Sequence, residues 1–197
     1  MLTEVMNMKK SLGDHTMIFP QPVMLIGTYD ENGKEDVMNV AWGGQCGPKQ
    51  ISMSLSRAAQ HQTTSNLEKQ KAFTIAYADE EHLVQADYVG LVSGKNTPDK
   101  MKRSGFTFTK SPVVNAPVIN ELPLSVSCRV VSMKEEYGEI RIVGEVVDAQ
   151  ADDSVIDENG NVNLDAMHLI SLDAAAGVYR KIGEKAGNAF HDGQKLR

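Results

Sequence analysis

The sequence predicts a mainly β fold of α+β character, an antiparallel barrel with short helical decorations, in a single domain spanning residues 1–197. Three observations lead there. Apolar and small polar residues alternate in several short segments, Asn, Asp and Gly clusters separate neighbouring segments at hairpin spacing, and helical periodicity is confined to brief stretches. Alternation broken by tight turns builds antiparallel sheet, whereas a doubly wound parallel sheet needs regular helical crossovers. At 197 residues the chain is long enough for one substantial core and short for two.

A polar N-terminal arm, residues 1–18, precedes the first strand at 22–29, where Val23, Met24, Leu25 and Ile26 run together. The turn Asp30-Glu31-Asn32-Gly33 returns it as a hairpin through Val37, Val40 and Trp42. Residues 50–56 (Gln-Ile-Ser-Met-Ser-Leu-Ser) alternate along their whole length, the mark of a strand with one buried face. Ser65 followed by Glu68 has capping-box spacing and predicts a short helix starting there. Ala72 to Tyr77 returns to strand, residues 80–91 read as helix with Leu83, Ala86 or Val84, and Val89 or Gly90 inward, and residues 99–103 add a helical turn. In the second half, Leu124, Val126, Cys128 and Val130 form a strand that pairs across Tyr137-Gly138 with Ile140, Ile142 and Val146. A second Asp-Glu-Asn-Gly turn lies in the acidic loop 152–163, and a polar tail occupies 183–197.

Composition excludes several classes. A formal net charge of -6 disfavours general nucleic-acid binding, which rests on clustered Lys and Arg. Neither a signal-peptide core nor a membrane-length apolar run occurs, so the expected location is cytoplasmic, with no membrane partner. Cys46 and Cys128 lack Cys-x-x-Cys spacing and read as free thiols, which leaves any redox chemistry to a cofactor. The glycine-containing run 90–96 has the wrong spacing for an NTPase loop, and no Rossmann fingerprint follows an early strand. His15, His61, His82, His168 and His191 show no metal-ligand spacing, so no metal is expected.

What remains is a dense set of hydroxyl, amide and cationic residues between Asn39 and Thr64. Ser54, Ser56, Thr63 and Thr64 can donate hydroxyls, Arg57 can bind two oxygens, and a helix start favours an anion. The residues alone leave a second account open, and the simpler one: Thr63, Thr64 and Ser65 as a plain helix cap, and Ser54 and Ser56 as the outward positions of a strand.

The ordered series Asn39-Val40-Ala41-Trp42, residues 51–57, Thr63-Thr64-Ser65-Asn66-Leu67 and Ala72-Phe73-Thr74-Ile75 resembles the FMN-binding half of flavin reductase-like proteins. Ser93-Gly94, Asp99-Lys100-Met101, residues 117–121 and the strand around Cys128 continue the resemblance, which is nearest to the flavoredoxin branch and covers about 19–182. It implies an FMN-binding split β-barrel. It also implies that Asn39, Val40, Ala41 and Trp42 edge the isoalloxazine ring, and that Ser54, Leu55, Ser56 and Arg57 follow the ribityl chain toward the phosphate. Thr63 and Thr64 would meet the phosphate, Ser93 and Lys100 would close its other side, and Tyr179 would stack near the ring or reach a partner subunit. Trp42 has core packing as its alternative, and Lys100 a solvated surface position. The resemblance further implies a homodimer that carries electrons from NADH or NADPH through FMN to a flavin or another acceptor. Its alternative is a non-enzymatic electron carrier serving a redox partner protein. No catalytic residue is expected, because hydride transfer to flavin needs no protein acid or base. Cys46, in the glycine-rich loop after Trp42, is expected to approach the cofactor.

Overall fold

The computed structural model describes residues 9–197, and residues 1–8 of the expected arm lie outside them. In chain order the strands and helices are β1 (Gln21–Pro22), β2 (Met24–Tyr29), β3 (Glu35–Val40), β4 (Gly43–Gln45), β5 (Gln50–Ser56), α1 (Gln62–Gln70), β6 (Ala72–Tyr77), α2 (Leu83–Leu91), α3 (Lys100–Ser104), β7 (Phe108–Lys110), β8 (Pro117–Ile119), β9 (Leu124–Glu136), β10 (Glu139–Ala151), β11 (Ile170–Asp173) and β12 (Val178–Lys181). The fold is mainly β. Its centre is a seven-stranded antiparallel sheet of order β3-β2-β6-β9-β10-β5-β4.

The edge strands β3 and β4 are joined by Ala41 and Trp42 alone, so the sheet has to curl until its two edges approach each other. Two register shifts between β9 and β10, at Val143/Gly144 and Val146/Asp148, supply the bend. Gly144 is required at the first, because a Cβ there would overlap the Phe73 ring across the barrel interior. The edges do not pair with each other, which leaves a split rather than a closed barrel.

Met24, Ile26, Met53, Leu55, Phe73, Ile75, Cys128 and Ile142 fill the barrel, and Leu67 of α1 joins them. On the other side of β2 and β6, Leu25, Val37 and Ala76 pack against Ala86 and Val89 of α2 and Met101 of α3. β2 is therefore buried on both faces, which explains its continuous apolar run.

Both Asp-Glu-Asn-Gly segments form the same turn. Asp30 Oδ1 accepts the Asn32 and Lys34 N–H groups at 2.8 and 2.9 Å, and Asp157 Oδ1 accepts those of Asn159 and Asn161, each at 2.9 Å. Gly33 and Gly160 take the left-handed conformation that ends each turn, at φ +79° and +78°.

Several expectations are corrected. The capping box fails: α1 starts at Gln62 after His61, with Ser65 inside the helix and no side-chain cap at its start. Helix α2 begins at Leu83 rather than 80, and Ala86 and Val89 form its buried side while Val84 is exposed. β9 and β10 are longer than expected, because each continues as a half-exposed ribbon beyond its apolar core segment. The short β4, β7, β8, β11 and β12 carry too few alternating residues to announce themselves. β12 lies just before the polar tail, and it pairs with β11 in a three-stranded sheet with β1.

Candidate functional site

Strand β5 builds the floor of a cleft. Met53 and Leu55 are buried in the barrel while Ser54 and Ser56 are half-buried on the other face, as a two-residue period requires. The Ser54 N–H donates to Trp42 O at 2.9 Å, which ties the β3–β4 connection to this floor. Helix α2 forms the opposite wall. Gly90 lets it approach, since a Cβ there would lie 3.0 Å from Asn39 Cβ, and Asn39 Nδ2 donates to Ala86 O at 3.0 Å. The resulting cavity, about 370 Å³, is lined by Asn39, Val40, Ala41, Trp42, Ser54, Leu55, Ser56, His61, Asp87 and Tyr179.

Around His61 this cavity continues into an open mouth of about 510 Å³ between Arg57, Thr64, Ser65, Glu68, Lys95 and Gly138. A narrow recess beside it is lined by Asp36, Thr63, Ser93 and Lys100, again with His61. The fold therefore gathers every expected site residue around one contiguous cleft.

Their roles differ. Trp42 is 60% exposed at the mouth of the cavity, so core packing does not describe it. Lys100 is 3% exposed, so it is not a solvated surface lysine. Its Nζ donates to Val37 O at 2.6 Å and lies 3.4 Å from Asp36 Oδ1, while Thr63 Oγ1 donates to Asp36 Oδ2 at 2.7 Å. Thr63 and Lys100 thus direct their polar atoms at Asp36. Burial lowers the Lys100 pKa, and Asp36 opposes that shift. A second chain, Gln62 Nε2 to Asn66 Oδ1 at 2.7 Å and the buried bond from Asn66 Nδ2 to Thr28 Oγ1 at 3.0 Å, fastens the same helix to β2. The start of α1 is consequently held from two sides.

Thr64 is different: its Oγ1 is buried without a hydrogen-bond partner, and the residue is one of those around the mouth. Arg57 Nε pairs with Glu135 at 2.8 Å, but both side chains are more than half exposed, so the contact is weak and easily exchanged for another anion. The N–H groups of the first turn of α1 have no intrahelical acceptors. Together these supply donors and positive charge at one end of a partly apolar cleft, the arrangement suited to a phosphorylated planar ligand.

At the other end Tyr179 Oη donates to Asp87 Oδ1 at 2.8 Å, and burial first, then Asp87, push the phenol pKa up to about 12. Burial, then the nearby Lys100 charge, lower the His61 pKa. Cys46 does not line the cleft. It is exposed at the far turn of the β4–β5 hairpin, and its neighbours Gln45 and Gly47 line a separate apolar groove. Cys128 is sealed in the barrel, where burial pushes its thiol up to about 12.

Sequence reasoning missed His61, Asp36, Asp87, Ser65 and Lys95. Asp36 is buried beside Val37 at the start of β3, but its strand also carries Glu35 and Asn39, so its burial left no clear signal. The others are ordinary polar residues made neighbours by the fold. Among the described residues no helix is long and apolar enough to cross a membrane.

Residues 16–173 match the flavin reductase like domain family. The flavoredoxin of Desulfovibrio vulgaris (Miyazaki F) is 30% identical, with a TM-score of 0.88 over 94% of this chain and 100% of that one. The flavoredoxin from Methanosarcina acetivorans is 24% identical, with a TM-score of 0.87 over 96% and 100%. An FMN-binding domain of a flavin reductases-like enzyme from Shewanella baltica OS155 is 22% identical, with a TM-score of 0.72 over 85% and 89%. With the matched span covering the barrel, α1 and nearly the whole cleft, the chain belongs to the flavin reductase like domain family.

Proposed function

We propose that this chain binds FMN in the cleft and, as a cytoplasmic homodimer, passes electrons from NADH or NADPH through that flavin to a second flavin or another acceptor. The observation that carries the cofactor assignment is the unpartnered buried hydroxyl of Thr64, set among Arg57, Ser65 and Lys95 at one end of the partly apolar cavity. A buried hydroxyl without a partner costs on the order of 1–3 kcal/mol. A phosphate oxygen would satisfy it.

In this reading Thr64, Ser65, Arg57 and Lys95 hold the phosphate with the N–H groups of α1. Asp36, Thr63 and Lys100 orient that helix from below, and Ser93 borders the recess beside it. Ser54, Leu55 and Ser56 lie along the ribityl chain. Asn39, Val40, Ala41 and Trp42 edge the ring, and Tyr179, fixed by Asp87, bounds its far side. When bound, the flavin supplies the two-electron chemistry, and the protein supplies position and electrostatics.

A second reading, a flavoredoxin-type carrier that exchanges electrons with a protein partner, is favoured by the flavoredoxin likeness at 30% identity. One experiment separates them. The protein is incubated with FMN, desalted, and titrated anaerobically with NADH and then NADPH while its visible absorbance is followed. Retained flavin that bleaches supports the reductase, and retained flavin that persists supports the carrier. Protein that neither retains nor titrates with FMN would remove both readings.

A further inference from the structure

We propose that His61 is the proton acceptor coupled to phosphate binding in this cleft, taking one proton from solvent as the flavin phosphate enters, so that the site grips phosphorylated flavins more tightly as pH falls toward 6.5. The inference rests on the FMN reading above and deepens it by naming the group that makes affinity pH-dependent.

Position carries the argument. His61 immediately precedes α1 and is the residue common to the partly apolar cavity, the open mouth and the narrow recess. It shares the mouth with Thr64, whose buried hydroxyl has no hydrogen-bond partner within the protein. The half-buried imidazole makes no side-chain cap on α1 and has no hydrogen-bond partner among the described residues.

The charges around it come from every neighbouring element. Lys95 in the α2–α3 loop and Lys100 on α3 disfavour the imidazolium, while Asp36 on β3 and Glu139 on β10 favour it. Arg57 after β5 and Glu68 on α1 share the mouth, and Asp87 on α2 shares the cavity. Burial first, then Lys100 and Lys95, favour the neutral imidazole against the pull of Asp36 and Glu139. A phosphate beside it reverses the balance, because two negative charges then outweigh the lysines' repulsion. Carboxylates and ammonium groups ordinarily titrate well outside pH 6–8, which leaves imidazole as the protein group that can take up the proton. The phosphate's own second ionisation lies near pH 6, so the dianion dominates through the useful window.

The sign follows from linkage. A group whose pKa is higher in the complex than in the free protein makes binding tighter as pH falls through the higher value. A rise of about one unit corresponds to a tenfold limit in affinity. FMN is therefore expected to bind about two- to threefold tighter at pH 6.5 than at pH 8.0, because the free imidazole starts below its ordinary value.

The test is calorimetric titration of the full chain with FMN and with riboflavin, at pH 6.5, 7.0 and 8.0, in buffers of different ionisation enthalpy. The expected result is uptake of about 0.2–0.4 proton per FMN at pH 7 and none for riboflavin, which lacks the phosphate. His61→Gln should abolish the uptake and flatten the pH dependence of FMN affinity. Uptake that is zero in the wild type, or that survives in His61→Gln, overturns the proposal while leaving FMN binding itself standing. Failure of both flavins to bind overturns the underlying cofactor reading instead. The wild-type proton count needs no variant, so a folding defect in His61→Gln does not decide the matter.

Discussion

Replacing Thr64 with Val should strengthen the empty protein and weaken the loaded one. Valine keeps the branched shape and removes only the hydroxyl, and Thr64 Oγ1 is a buried atom with no partner. Removing an unsatisfied buried hydroxyl returns a desolvation cost of about 1–3 kcal/mol, less a few tenths for valine in the first helical turn. The ligand-free variant should therefore be about 1 kcal/mol more stable, a rise of roughly 2–4 °C in melting temperature for a chain of this size. The same hydroxyl, once bonded to a phosphate oxygen, contributes about 1.5–3 kcal/mol, so FMN affinity should fall on the order of 10- to 100-fold. Riboflavin affinity should stay within about threefold, since that ligand carries no phosphate. Urea denaturation of the ligand-free protein and calorimetric titration with both flavins measure all three quantities. A variant less stable than wild type by about 1 kcal/mol would show that the hydroxyl is satisfied after all. Equal losses for FMN and riboflavin would show that it does not face phosphate.

Three further outcomes follow from the same geometry. Lys100→Met leaves Asp36 buried with Thr63 as its remaining side-chain donor and should cost about 3–5 kcal/mol in urea denaturation. The pair Asp36→Leu with Lys100→Met should recover much of that loss, and a double variant as unstable as the sum of the singles would refute a coupled pair. With a thiol reagent at pH 8, native protein should react at Cys46 alone. Cys128 is buried with its thiol pushed up to about 12, which leaves roughly one part in ten thousand as thiolate, and Cys46→Ser should leave the bound-flavin spectrum unchanged. In acid, the Asp173 carboxyl is held below its usual range first by the Arg180 hydrogen bond, and that of Asp157 by backbone N–H groups, the Asn161 N–H first. Depressed carboxylate values give stability that is intact above about pH 4 and lost as pH falls further, so Asp157→Asn should flatten the urea-midpoint profile between pH 5 and 3. An unchanged slope would mean that the turn gives no pH-linked stability.

The sequence by itself determined the mainly β character, the order of the principal strands and the family. Those features reside in local periodicity, in the duplicated Asp-Glu-Asn-Gly turn and in an ordered run of segments, each readable within a dozen residues. Ser54 and Ser56 were placed on one face by alternation alone. Two alternatives left open by the residues, buried packing for Trp42 and a solvated position for Lys100, were closed by exposure, which depends on what the chain folds against.

Only the tertiary structure decided how the site works. Asp36, His61, Asp87 and Lys95 come from four different elements, and their proximity depends on the curl of the sheet and on how α1 and α2 seat against it. Helix α1 starts earlier than its Ser65 and Glu68 suggest because Asn66, Thr28, Thr63 and Asp36 anchor it through buried hydrogen bonds, and tertiary anchoring outweighs a local capping preference of about 1 kcal/mol. The short strand carrying Tyr179 exists because β11 pairs with it, an interaction with no trace in its own sequence. Spacing in sequence reports what lies within a turn or two of a residue, and the partners that complete Thr64, Lys100 and Tyr179 lie tens of residues away.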